Sequence, residues 1–182
     1  MKQILLVNGS PNRDGNTASA LRIMEDVFLA QGLTTAWCQI GRQPVRGCQG
    51  CGHCAKNHRC VFPDDVCNDL IAALLQSDAV VIGTPVYFAG PNGALCALLD
   101  RVFYATANFG QMLQGKPAAA VATCWRAGAT PSIDRINKYF TFAQMPVVSS
   151  TYWNGYLGPQ DAFGRNVLET LAHNMTKLLG KE

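Results

Sequence analysis

A chain of 182 residues suits one domain with a sizeable enclosed core, and a hydrophobic fraction of 48% with only 15% charged residues excludes a disordered chain. The formal net charge of +3 is not gathered into a basic stripe, so nucleic acid is not an expected partner. No apolar run approaches a membrane span, and Met1-Lys2-Gln3 leads straight into a strand-like Ile4-Leu5-Leu6-Val7 without a signal-type segment, so the expectation is a cytoplasmic protein with no membrane contact. In that reducing compartment, eight cysteines point to metal or redox chemistry and away from a disulfide framework.

The periodicity alternates along the chain. Residues 4–7 read as a buried strand, and Ala20, Leu21, Met24, Val27 and Phe28 then recur at helical spacing behind a cap at Asn16 or Thr17. A second strand near 33–40 leads into a cysteine-rich insertion at about 47–63, after which Asp64 or Asp65 caps a helix burying Val66, Leu70, Ile71 and Leu74. Residues 79–82 form a third strand. The helix after Asn92 places Leu95, Leu98, Leu99, Val102 and Phe103 on one face, and 118–123 is a small-residue fourth strand. Thr130-Pro131 fits a cap followed by proline at the first helical position, with Ile133, Ile136 and Phe140 continuing that helix. Residues 146–148 are expected as a short fifth strand, and Leu168, Leu171, Met175 and Leu178 mark a last helix. Five strands alternating with helices predict a doubly wound α/β domain spanning 1–182, its parallel sheet covered on both faces.

Such sheets bind ligands beyond the carboxyl ends of their strands, where the winding direction reverses. That rule selects three loops. In the first, Gly9 and Gly15 let the backbone approach an anion, Ser10 and Thr17 offer hydroxyls, Asn12 and Asn16 offer amides, and the helix N-terminus adds partial positive charge. It lacks the Gly-Lys-Ser/Thr ending of a P-loop and the G-x-G-x-x-G of dinucleotide folds, so one phosphate monoester is the better fit. The second loop, Thr84-Pro85-Val86-Tyr87-Phe88-Ala89-Gly90-Pro91-Asn92-Gly93, offers a stiff rim for the edge and face of a planar ring, although Tyr87 and Phe88 taken alone also read as core aromatics. The third carries Trp125 and Arg126, and Arg126 is a candidate stabiliser of an anionic ring.

Cys48, Cys51, Cys54 and Cys60 stand as C-x2-C-x2-C-x5-C, a spacing that wraps a short backbone loop around a cubane and completes a 4Fe-4S site with a fourth thiolate. Zinc fits less well, because separated ligand pairs are its usual pattern, and a loop without a cluster is the other reading. His53 and His58 read as surface histidines, while Cys38, Cys67, Cys96 and Cys124 read as packed small residues.

With GSPNRDGNT at the start, the cysteine segment followed by VFPDD, TPVYF with LLDR after it, and RAGATPSIDRINKYF followed by QMPVVSSTYWN, the chain resembles the flavodoxin-like NAD(P)H-dependent FMN reductases, within them the branch that includes iron-sulfur flavoproteins. The resemblance covers nearly the whole chain. It implies strand order 2-1-3-4-5, bound FMN and a homodimer or homotetramer. It further implies that Ser10, Asn12, Asn16 and Thr17 hold the FMN phosphate and that Pro85, Val86, Tyr87 and Phe88 border the isoalloxazine. The chain departs from many relatives at Asn12, where they carry arginine, and at Cys96, where they carry lysine.

The expected function is an FMN-dependent oxidoreductase that moves electrons from NAD(P)H to a quinone, a flavin or another small-molecule acceptor. The flavin carries the chemistry and no acid-base triad is required. Two alternatives stand beside it: a relay in which a ferredoxin-like donor reduces FMN through a 4Fe-4S cluster, and a non-catalytic flavodoxin-like carrier or sensor.

Overall fold

The computed structural model describes residues 1–180. In chain order the elements are β1 (Gln3–Asn8), α1 (Asn16–Ala30), β2 (Thr34–Gln39), the single-turn α2 (Cys54–Asn57), α3 (Cys67–Gln76), β3 (Ala79–Tyr87), β4 (Gly90–Pro91), α4 (Gly93–Thr106), β5 (Ala118–Thr123), α5 (Ala129–Phe142), β6 (Gly155–Tyr156) and α6 (Ala162–Leu178). The sheet runs β2-β1-β3-β5-β6 with every neighbouring pair parallel, and β4 folds back on β3 as a two-residue antiparallel strand. With that small hairpin set aside, the order is the expected 2-1-3-4-5.

Strand alternation divides the core into two layers. Leu5, Val7, Val80 and Ile82 point to the side covered by α3, α4 and α5, while Ile4, Leu6, Ala79 and Val81 point to the side covered by α1 and α6. On α1 the 3.6-residue period brings Leu21, Met24 and Phe28 to full burial, and each such side chain contributes roughly 1.5–3 kcal/mol. β5 is built from alanine, valine and threonine and is buried throughout, as a central parallel strand requires.

The fifth strand differs from expectation. Residues 146–148 make only a bridge to the start of β5, with Ala118 N donating to Pro146 O at 2.9 Å and Val148 N to Ala118 O at 2.8 Å. The chain then leaves the sheet and returns at β6, opposite Ala122 and Thr123. Asn154 closes the gap: its Nδ2 donates to Ala120 O at 3.0 Å, and its own carbonyl accepts from Ala122 N at 3.0 Å. A side-chain amide here replaces the missing strand backbone, so the buried carbonyl of β5 keeps its partner.

Helix starts also shift slightly. The N-cap of α1 is Gly15 and has no side-chain cap, α3 begins at Cys67 behind Val66, and α5 follows Gly128. Asn92 does cap α4, accepting from Ala94 N at 3.0 Å.

At the carboxyl edge β1 and β3 meet with almost no clearance. Gly9 N donates to Gly83 O at 2.8 Å, and a Cβ built on Gly9 would lie 2.5 Å from that same oxygen and 2.5 Å from Leu95 Cδ2. We therefore expect Gly9→Ala to lower unfolding stability by about 1–3 kcal/mol through overpacking, read as a shift of the urea midpoint. A midpoint equal to that of the parent protein would show that the edge is looser than described.

Candidate functional site

The loop after β1 is held before any ligand arrives. Asn8, fully buried, accepts from Ser10 N at 3.1 Å and donates to Asn12 O at 3.1 Å and to Gln39 Oε1 at 2.6 Å. Gln39 Nε2 donates in turn to Ser10 O at 2.5 Å, and Asn12 N donates to Ser10 Oγ at 3.1 Å. This cross-bracing fixes the backbone between β1 and α1. Because Gly15 provides no side-chain cap, the first-turn N–H groups of α1 face the loop without an internal partner.

Ser10, Asn12, Gly15, Asn16 and Thr17 line one side of a cleft of about 380 Å³. Pro85, Val86, Tyr87, Thr123, Cys124, Trp125 and Leu157 line the rest, so the three selected segments do converge, although β3 runs on past the expected 79–82 and Pro85, Val86 and Tyr87 are its end and not a loop. Among the described residues no carboxylate lines the cleft. Hydroxyl and amide donors at an uncapped helix end suit a phosphate monoester, and the end of β3 with Trp125 offers flat apolar surface for a ring. The residues present fit FMN. Arg42, in the segment after β2, donates from Nη2 to Asn12 Oδ1 at 2.9 Å and so places a cation beside Asn12.

Two expected residues sit outside this cleft. Phe88 occupies the tip of the β3–β4 turn with φ of +50° and is fully exposed. Arg126 stacks over the Trp125 ring at 5.2 Å and faces a neighbouring hollow shared with Tyr152, Trp153 and Phe163. Thr123 and Cys124 open the third selected loop but were given no binding role from sequence, and Leu157 was not selected at all. Thr123 Oγ1 lies 2.8 Å from Thr17 Oγ1, joining the end of β5 to the start of α1. A threonine closing a run of alanines at a strand's carboxyl end was the available signal; Leu157 comes from the return loop, which carried none. Gly128 lets the β5 loop sit against the β3 hairpin: its φ is +92°, and a Cβ there would meet Ala89 Cα and Val86 Cγ1 at 2.7 Å.

The cysteine segment forms a second, separate site. Cys48, Cys51, Cys54 and Cys60 line one cavity, closed by Phe62, Arg101 and Tyr104. Gly50 and Gly52, at φ of +65° and +74°, turn the backbone around it. Asn68 on α3 grips the fourth cysteine, accepting from Cys60 N at 2.9 Å and donating to Cys60 O at 3.1 Å. Among the described residues no three His, Cys, Asp or Glu side chains draw together as a metal-holding group. Four thiols lining one cavity are the donor set of a cubane, so the residue types fit a 4Fe-4S cluster. Burial and the neighbouring Cys48, Cys51 and Cys60 raise the Cys54 thiol above its ordinary value.

The other cysteines do not line this cavity, although Cys67 neighbours Cys60. Burial pushes Cys38 up to about 11 and Cys67 up to about 12, as expected of thiols packed in a core. Cys96 and Cys124 are partly buried elsewhere, and Cys124 borders the flavin-type cleft.

The order of the sheet and the cleft at its switch point define a flavodoxin-like α/β protein. The family model described as NADPH-dependent FMN reductase matches residues 2–156, and the chain belongs to that family. An iron-sulfur flavoprotein of Methanocaldococcus jannaschii is 27% identical over 146 residues, covering 80% of this chain and 75% of that protein. Among solved structures, the flavodoxin, WrbA-like protein from Agrobacterium tumefaciens superposes with a TM-score of 0.68 at 15% identity over the whole of both chains. An NADH:FMN oxidoreductase in its apo form gives 0.69 at 18% identity, covering 100% of this chain and 91% of that one.

Replacing Asn16 and Thr17 by alanine should weaken FMN binding by roughly 10- to 100-fold, the loss expected for donors to a charged group. Calorimetric titration of the apoprotein measures it. Unchanged affinity in a folded variant would remove these side chains from the phosphate site.

Proposed function

We propose that this chain is an FMN-dependent oxidoreductase that takes a hydride from NAD(P)H and passes electrons to a quinone, a flavin or another small-molecule acceptor. The observation that carries this reading is the carboxylate-free cleft, where an uncapped helix end meets the end of β3 and Trp125. Ser10, Asn16, Thr17 and the first-turn amides hold the phosphate, while Pro85, Val86 and Tyr87 orient the ring. FMN, when bound, supplies the hydride acceptance and electron release.

The neighbouring hollow supports a place for the hydride donor or acceptor. It shares Cys124 and Leu157 with the cleft, and its wall carries Tyr152 packed edge-on to Trp153 at 4.7 Å and to Phe163 at 5.6 Å. Arg126 on its rim provides a charge for a phosphate or a polarised oxygen. Anaerobic preparation with FMN followed by steady NAD(P)H oxidation tests the reading. Alanine at both Tyr152 and Trp153 should raise KM for the nucleotide or acceptor by about 3- to 10-fold, the value of lost aromatic stacking, with FMN content unchanged. If turnover is absent with every acceptor class while FMN is bound, the chain is a carrier or sensor.

A second reading is favoured by a specific observation, the convergence of four cysteines on one cavity. In it the loop holds a 4Fe-4S cluster and a ferredoxin-like donor reduces FMN through it. Asn92, at the flavin edge, and Arg101, at the cysteine cavity, are nine positions apart on α4, or roughly 14 Å at 1.5 Å per residue. The two sites share no lining residue, and Cys48 and Cys51 are exposed. That separation supports delivery to the flavin of a second copy in a homodimer or homotetramer. Cys51→Ala should abolish the broad visible absorbance and the iron content of anaerobically reconstituted protein while sparing FMN binding. Iron-free parent protein with normal NAD(P)H turnover would leave the first reading alone.

A further inference from the structure

We propose that Arg101 is a positioning residue for the iron-sulfur site, holding Cys60 by an N–H···S hydrogen bond and raising the reduction potential of the cluster. The inference rests on the relay reading above and adds to it a residue outside the cysteine motif.

Arg101 lies on α4, its side chain only 1% exposed, and one guanidinium bridges three parts of the insertion. Its Nε donates to Cys60 Sγ at 3.2 Å, Nη1 donates to Arg46 O at 3.1 Å and to Asp65 Oδ2, and Nη2 donates to Asp65 Oδ1 at 3.0 Å. Asp65, equally buried, also accepts from Cys67 N at 3.0 Å, which ties the fork to the start of α3. Arg101 thus joins the segment before the first ligand, the last ligand itself and the helix after it. A planar guanidinium reaches these partners at once from three separate nitrogens, whereas a lysine ammonium offers a single nitrogen and does not match the fork on the carboxylate together with the sulfur.

The electronic consequence follows from charge. Reduction adds one electron to the cluster and its four thiolates, with no bond broken and no proton required. Hydrogen bonds to cluster sulfurs and nearby positive charge favour the more negative, reduced form. Deleting the Nε–H on Cys60 therefore makes the midpoint more negative.

The test is a dithionite titration of anaerobically reconstituted full-length protein, followed by visible absorbance and electron paramagnetic resonance. Two variants are compared with the parent: Arg101→Lys, which retains the charge, and Arg101→Gln combined with Asp65→Asn, which removes both charges and leaves no buried ion unpaired. FMN binding and thermal unfolding establish that each is folded. Retained iron and sulfide with a midpoint shifted to more negative potential in both variants supports the proposal, as does selective loss of iron with FMN binding intact. Full iron content with an unshifted midpoint and unchanged resonance spectrum overturns it. A parent protein that takes up no iron overturns the relay reading itself, an outcome distinct from the failure of the variants to differ.

Discussion

The hydrogen bond from Gly9 N to Gly83 O marks the closest approach of the two strands at the switch point, and the ligand edge is arranged around it. No side chain fits between β1 and β3 there, so α1 and α4 descend directly onto the sheet. Thr17 and Leu21 of α1 close over Gly83, while Leu95 of α4 closes over Gly9. Asn92 locks the arrangement, with Nδ2 on Gly9 O at 2.8 Å and its backbone N on Thr84 Oγ1 at 3.0 Å. One buried amide therefore ties β1, β3 and the start of α4 together. The helix N-terminus that faces the phosphate position owes its placement to this contact, because α1 can reach the edge only where the sheet presents no side chains.

A different constraint governs the cysteine insertion. A segment with a single helical turn and no strand has little backbone pairing of its own, so side chains hold its shape. Asn68 and Arg101 do most of this, each satisfying backbone carbonyls as well as contacting Cys60. Burial alone would raise the Asp65 carboxyl, but the bonds and charge of Arg101 outweigh it and hold the group below the ordinary aspartate range. Breaking such a pair leaves a buried charge without compensation, whereas exchanging both partners is far milder. The insertion is thereby anchored to the α3–α4 layer, away from the flavin edge.

The two sites consequently rest on unlike foundations. The cleft uses backbone amides and short polar side chains on regular elements, so its geometry follows from the sheet. The cysteine cavity uses a loop wound by glycines at positive φ and pinned by two long-range side chains. Trp125 and Arg126 stand on a loop beyond the sheet, whereas the 149–161 return segment carries Asn154 and β6 and is bonded to β5. Chemistry at the cavity depends directly on the contacts of α4.

Much was legible before any coordinates. Alternating strand and helix periods located β1, β2, β3, β5 and the long helices, since a parallel sheet buried on both faces leaves continuous apolar runs. That Ser10, Asn12, Asn16, Thr17, Pro85, Val86 and Tyr87 share one cleft could be expected because ligand crevices of such sheets open at the carboxyl ends of their strands. Local pattern could not reveal that 146–148 stops after one bridge, since Asn154 completes β5 from outside the run. Nor could it show that Phe88 turns out to solvent, or that Arg126 faces the neighbouring hollow. The sequence by itself determined the order of elements, the donor chemistry of the first loop and the cysteine spacing, all properties of near neighbours along the chain. Only the tertiary structure decided the Thr17–Thr123 contact, the return loop at Leu157 and the grip of Arg101 on Cys60, because these join residues dozens of positions apart through packing that no local period encodes.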